Sequence, residues 1–118
     1  MESKIIVLPN GIKIWSNEEG QMHRDDGPAM IWPDGTKLWY QNDKRHRTDG
    51  PAVIFPTGTK QWYLNGKRHR EDGPAEIWSD GTEEWFLNGK KLSFTEWADK
   101  LNLDHKQRLM MVMKWNPK

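Results

Sequence analysis

A seven-residue block, H-R-x-D-G-P-A, occurs three times in this chain, at 23–29, 46–52 and 69–75, with a constant spacing of 23 residues. A fixed period of about 20–50 residues marks an array in which one small supersecondary unit stacks on its copies, because no single unit can bury its apolar face alone. At 118 residues there is room for one such domain. The repeat therefore fixes the architecture before any other feature is considered.

Each unit opens with a short apolar run, at 5–8, 29–32, 52–55 and 75–78, and each run ends at a turn: Asn10-Gly11, Asp34-Gly35, Thr57-Gly58 and Asp80-Gly81. Asn-Gly and Asp-Gly suit a two-residue hairpin loop, since both central positions need positive φ; Thr57-Gly58 departs from that preference. Pro9, Pro33 and Pro56 precede three of the turns, where a residue without an N–H belongs at a strand end. A second strand follows with a recurring tryptophan, Trp15, Trp39, Trp62 and Trp85, followed by Ser16, Tyr40, Tyr63 and Phe86, residue types most of which favour strands. A second turn closes the unit at Glu19-Gly20, Asn42-Asp43, Asn65-Gly66 and Asn88-Gly89. In the first unit this stretch, 17–21, is one residue longer, as befits a terminal repeat.

The expected fold is an all-β repeat array: a meander of about four stacked β-hairpins, roughly eight strands, with repeats at about 4–26, 27–49, 50–72 and 73–92. A two-residue loop at Asp34-Gly35 sets Trp32 opposite Lys37, Ile31 opposite Leu38 and Met30 opposite Trp39. The same register sets Glu76 opposite Trp85 and Ile77 opposite Glu84. Met30, Trp32, Lys37 and Trp39 then share one face, and Ile31, Leu38 and Tyr40 the other. Both faces carry apolar residues, and a one-residue slip exchanges them, so core and exposed aromatic ladders stay undecided at this level.

The pattern D-G-T-x-x-W-Y-x-N-G-K-x-H-R-x-D-G-P-A resembles the MORN-like repeats of small bacterial and bacteriophage proteins; 34–52 and 57–75 carry it best, and the resemblance spans 4–92. It implies a β-hairpin interaction scaffold. It implies no catalytic residue.

Beyond the repeats, Ser93-Phe94-Thr95-Glu96 has the form of a capping box, with Leu92 and Trp97 at the hydrophobic-staple positions. Asp104-His105-Lys106-Gln107 has the same form. Helices are expected from Phe94 to about Leu101 and from His105 to about Lys114, with Trp97, Leu101, Leu109, Val112 and Met113 on their apolar faces. This 93–118 segment reads as a helical cap over the open edge of the last hairpin. A homo-oligomer or target contact through these helices, with Met110, Met111 and Met113 as adaptable side chains, is the alternative.

Composition narrows the function classes. The chain has no cysteine, which excludes disulfides, zinc fingers and thiol catalysis. Eighteen basic and 17 acidic residues nearly cancel, so no global field steers nucleic acid or anionic lipid, and both are disfavoured as partners. The only early apolar run, 5–8, is too short for a signal peptide or a spanning helix, and a cytoplasmic location is expected, the host cytoplasm if the chain is phage-encoded.

His23, His46 and His69 could be bases oriented by Asp26, Asp49 and Asp72, but the same pair recurs in every connection, whereas catalytic sites are single constellations with distinct roles. The block reads instead as a structural turn, in which the aspartate bonds the Gly-Pro backbone and the arginine pairs with it or lies on an aromatic ring. Neither an enzyme nor a cofactor is expected. The favoured function is non-enzymatic binding of a protein partner, of the inhibitor or antitoxin type. Trp39, Tyr40, Arg47, Trp62, Tyr63 and Arg70 are the candidate binding residues, of types common at interface hot spots, although the same positions suit a core. The alternative is sequestration of a small anionic ligand such as a nucleotide signal, clamped between arginines and tryptophans.

Overall fold

A computed structural model describes residues 4–117. The chain forms an antiparallel meander of hairpins with two C-terminal helices packed against its last strands. Among the described residues the strands are β1 (Lys4–Val7), β2 (Lys13–Ser16), β3 (Met30–Ile31), β4 (Lys37–Leu38), β5 (Tyr40–Gln41), β6 (Lys44–Arg45) and β7 (Val53–Ile54). They continue with β8 (Lys60–Gln61), β9 (Tyr63–Leu64), β10 (Lys67–Arg68), β11 (Glu76–Ile77), β12 (Glu83–Leu87) and β13 (Lys90–Leu92), before α1 (Phe94–Lys100) and α2 (His105–Trp115). One nine-stranded sheet runs β1-β2-β3-β4-β7-β8-β11-β12-β13, and β5-β6 and β9-β10 stand off it as two-stranded ribbons. The molecule measures 50 × 28 × 20 Å with a radius of gyration of 16.2 Å. A compact chain of this length would have a radius near roughly 13.5 Å, so the array is elongated along its stacking direction.

The strand count exceeds the expected eight for two reasons: the Trp-bearing strand of each internal unit divides at its tryptophan, which adds β5 and β9, and the chain pairs back after each of the last three second turns, which adds β6, β10 and β13. Trp39 donates its N–H to Ala52 O of the next unit (2.7 Å), while its C=O accepts from His46 in the ribbon (3.1 Å). Trp62 divides its strand in the same way, between Ala75 O (2.7 Å) and the His69 N–H (3.2 Å). Ala29, Ala52 and Ala75, each with no exposed surface, sit where unit meets unit and admit nothing larger.

The two-residue loop expected at Asp34-Gly35 is not formed. Met30 pairs with Leu38 and Ile31 with Lys37, one residue out from the expected register, and in the fourth unit Glu76 pairs with Glu84 and Ile77 with Glu83. The reason is a three-residue loop. Gly35 donates to Trp32 O (3.0 Å) and Trp32 donates to Thr36 O (2.9 Å), so a type I turn over Trp32-Pro33-Asp34-Gly35 ends in a left-handed bulge at Gly35, φ 98°. Asp34 Oδ1 accepts the Thr36 N–H at 2.9 Å, and its hydrogen bonds to Thr36 hold the carboxyl below the usual carboxylate range. The other first turns close alike, at Leu8–Ile12, Phe55–Thr59 and Trp78–Thr82. The second turns of the last three units have two residues, Asn42-Asp43, Asn65-Gly66 and Asn88-Gly89, with positive φ at both positions, whereas that of the first unit closes over three, with Gly20 donating to Asn17 O (3.1 Å) and Asn17 to Gln21 O (2.9 Å).

The one-residue shift decides the faces. Leu38 and Val53 turn to the buried side in a row with Met30, Gln61 and Glu76, while Lys37 and Lys60 join Ile31, Ile54 and Ile77 on the outer side. Ala29, Leu38, Tyr40, Ala52, Val53 and Tyr63 form the first core. Trp85, Leu92, Trp97 and Ala98 form the second, between the last hairpin and α1. Both expected capping boxes are present, at Ser93/Glu96 and Asp104/Gln107. The expected apolar face of α2 is not the packed one. Leu109, Val112 and Met113 are exposed, and Met111 and Trp115, four residues apart on one helical stripe, pack against the second core.

Candidate functional site

The H-R-x-D-G-P block folds identically in all three copies, and the arginine organises it. Arg24, Arg47 and Arg70 lie over Trp15, Trp39 and Trp62, with the guanidinium carbon 4.0, 3.9 and 3.9 Å from the ring centroid. The same arginines donate Nη1 to the carbonyls of Pro28, Pro51 and Pro74 at 3.2, 3.0 and 3.0 Å. Nε of each donates to Asp26, Asp49 or Asp72 at 3.1, 2.8 and 2.7 Å. The arginine thus both pairs with the aspartate and covers a ring, and it is the arginine that ties the Gly-Pro carbonyl. The Arg47 guanidinium holds the Asp49 carboxyl below its ordinary range.

The histidines do not pair with Asp26, Asp49 and Asp72, as a base–carboxylate dyad would require, because those carboxylates are taken by the arginines. Nδ1 of His23, His46 and His69 instead accepts the backbone N–H of Asn42, Asn65 and Asn88 at 3.2, 3.0 and 2.9 Å. Each histidine so receives the tight turn of the next unit. The acceptor role of Nδ1 puts the ring proton on Nε2, which reaches Asp25 (2.9 Å) in the first copy and Glu71 (3.0 Å) in the third. Thr48 stands at that position in the second copy. The arginine contacts stay within the block and the histidine Nδ1 contacts join it to the next unit, and among the described residues no three His, Asp or Glu side chains converge as a metal-ligand set.

Of the six candidate binding residues, Tyr40 and Tyr63 are buried, with only their hydroxyls reaching Arg45 (3.4 Å) and Arg68 (3.1 Å). Trp39, Arg47, Trp62 and Arg70 are partly open and line two successive grooves on one flank of the array. The first, about 570 Å³, lies between Arg24-Gly27 and Trp39-Arg47. The second, about 470 Å³, lies between Arg47-Gly50 and Trp62-Arg70, with Leu64 and His69. Thr48 and Asp49 border both grooves.

A different groove, about 540 Å³, opens on a face of the sheet, among Trp32, Phe55, Leu38, Val53, Arg45 and Arg68. Trp32 and Trp78 are 41% and 42% exposed, and with Phe55 they repeat at 23 residues as the last side chain before each first turn. The sequence carried this ladder at its own period, but the assumed register turned it toward the wrong neighbours. The groove's charge is internally balanced: Arg68 Nη1 lies 2.9 Å from Oε1 of the buried Glu76, an ion pair without hydrogen-bond alignment, while Gln61 donates to Glu76 Oε2 at 2.8 Å.

With this geometry in hand, the chain was compared with family models, with curated proteins and with solved structures, and none matches. No helix among the described residues is long and apolar enough to cross a membrane.

Proposed function

We propose that the protein is a non-enzymatic protein-binding module of the MORN-like kind, which engages its partner through the two flank grooves. The observation that carries this reading is their repetition. A rigid clamp of arginine, tryptophan, glycine and proline is presented twice in succession, open to solvent, on an elongated scaffold. Tryptophan and arginine are the side chains most often found at interface hot spots. Both grooves are wide, shallow and shared between units, which suits a protein surface better than a small molecule. The resemblance to bacterial and bacteriophage repeat proteins supports an inhibitor or antitoxin acting on a host protein in the cytoplasm. Copies of the chain would associate through α2, whose outer side presents Leu109, Met110, Val112 and Met113.

Sequestration of a small anionic ligand has one observation in its favour, the Arg45–Trp32–Phe55 groove. Arg68 is neutralised there by Glu76 and Asp34 stands at the rim, so little positive field remains for an anion.

The test is tagged capture from the natural host, with mass spectrometry and a mass measurement on the eluted complex, run on the natural chain and on Thr48→Arg. Thr48 is exposed and borders both grooves, so the substitution obstructs them without entering the core. A stoichiometric protein that is captured by the natural chain and lost with Thr48→Arg is the expected result. Equal capture by both chains would place the interface elsewhere.

A further inference from the structure

The repeat supplies three copies of the arginine clamp, and one of them is already occupied. Arg70 lies within cation–π distance of two rings, Trp62 at 3.9 Å and Trp115 of α2 at 5.0 Å. Arg24 and Arg47 have only the inner ring, Trp15 or Trp39. The difference appears in exposure, since the side chains of Arg24 and Arg47 are 23% and 22% exposed and that of Arg70 is 11%. The neighbouring positions follow suit. Gly73, Pro74 and Trp85 are buried, while their counterparts Gly50, Pro51 and Trp62 remain partly open.

In all three copies a Cβ before the proline would crowd the arginine guanidinium, at 3.0 Å for Gly27, 3.0 Å for Gly50 and 2.9 Å for Gly73. At Gly73 it would also stand 2.9 Å from Cζ2 of Trp115 and 3.0 Å from its Cε2, so the ring's approach depends on the missing side chain. At Gly50 the three nearest atoms all belong to Arg47. The backbone carbonyl of the arginine completes the comparison. Arg24 O accepts from Gln41 Nε2 at 2.9 Å, and Arg70 O accepts from Trp97 Nε1 at 2.8 Å. Leu64 holds the position of Gln41 in the middle unit and has no donor to offer Arg47 O. The middle groove therefore combines a more exposed guanidinium, a glycine at the position that admits a ring in the third copy, an apolar wall at Leu64 and a carbonyl whose two counterparts each accept a side-chain N–H.

We infer that the Arg47–Gly50 groove is a docking site for an aromatic side chain, tryptophan above all, carried by the protein partner. Trp115 is the internal template for the occupant: a ring against the glycine and within cation–π distance of the guanidinium, attracted by cation–π and dispersion contact. In the filled copy the two contacts come from two residues, since Trp115 Nε1 makes no hydrogen bond and Trp97 Nε1 donates to Arg70 O; in the middle copy an indole brings both a ring and an N–H. This inference rests on the protein-binding reading of the grooves and names the chemistry of the partner's anchor.

The experiment is a titration of the full chain, labelled with ¹⁵N, with N-acetyl-L-tryptophanamide, with N-acetyl-L-leucinamide and with AMP as separate probes. Backbone amides and arginine Nε–H signals are followed. The expected result is a saturable shift at Gly50 and Arg47 with the tryptophan probe, little movement at the filled Gly73 and Arg70, and at least a tenfold weaker effect with the leucine probe. Gly50→Ala should weaken the tryptophan response at least tenfold. Because that substitution also crowds Arg47, Leu64→Gln is run beside it; it supplies the amide that Gln41 supplies to Arg24 O and should reduce the response while leaving the clamp intact. Equal responses to leucine and tryptophan, no response at Gly50, or a stronger response to AMP would overturn the inference, the last in favour of a nucleobase. Such an outcome leaves the protein-binding reading to stand or fall separately on capture by the natural chain and by Thr48→Arg.

Discussion

Replacing Arg47 with alanine removes three interactions at once, and their sizes can be ranked. The hydrogen bond from Nη1 to Pro51 O, 3.0 Å and partly buried, has a charged donor and contributes about 1.5–3 kcal/mol. Stacking on Trp39 at 3.9 Å, in a half-buried setting, contributes about 0.5–2 kcal/mol. The Asp49 pair counts for little, because that carboxylate is 82% exposed and solvent screens it. The expected loss is therefore about 2–5 kcal/mol. Urea unfolding reads this as a midpoint lowered by about 1–2 M at an unchanged slope. Arg47→Lys separates charge from shape. It keeps the cation and loses both the planar stack and the fork, so it should recover less than half of the loss. If Arg47→Lys were as stable as the natural chain, or Arg47→Ala cost under about 0.5 kcal/mol, the arginine would not be the organiser of the repeat.

Further outcomes follow from the same contacts. Ala52→Leu should cost about 1–3 kcal/mol by overpacking the unit junction, where Ala52 has no exposed surface; a thermal midpoint within a degree of the natural chain's would contradict this. His46→Ala leaves the Asn65 N–H without its acceptor and should cost about 0.5–1.5 kcal/mol, seen as faster amide exchange at Asn65 and Gly66, and unchanged exchange there counts against the staple. Acid should destabilise the fold. Asp34, Asp49, Asp80 and Glu96 are held below their ordinary range by hydrogen bonds to Thr36, Arg47, Thr82 and Ser93 respectively, so their stabilising contribution is complete above the unfolded carboxylate range near about pH 4 and is lost as the pH falls through the folded values. Glu83, raised by burial, acts in the opposite sense and is outnumbered. A thermal midpoint that stays level from about pH 5.5 to about pH 2.5 would refute the balance drawn from these groups.

The hairpin meander, its period and both helix starts were legible in the sequence because each has a local cause: a recurrent turn block, or a capping residue three positions before its partner. The register was not, for an equally local reason. Asp34-Gly35 serves a two-residue loop, but it also serves the end of a type I turn, and Pro33 at the second turn position favours the latter. Reading the proline as a turn residue instead of a strand end would have placed Leu38 inside and Lys37 outside. The packed stripe of α2 was hidden because apolar residues surround that helix. Leu109, Val112 and Met113 compete with Met111 and Trp115, and only the surface presented by the last hairpin chooses between them. Four of the candidate site residues share the flank grooves. Tyr40 and Tyr63 lie in the core, as aromatic rings flanked by Leu38, Val53 and the junction alanines must. The filled clamp at Arg70 could not be read from the repeat, since Trp115 lies outside the period that defines it.

The claim that the flank of the array is the working surface is tested most directly by hydrogen–deuterium exchange on the chain alone and bound to its captured partner. New protection is predicted at 24–28, 47–50 and 62–64, with the amides around Gly73 unchanged. Protection confined to Trp32, Phe55 and Trp78, or to the outer side of α2, would contradict it.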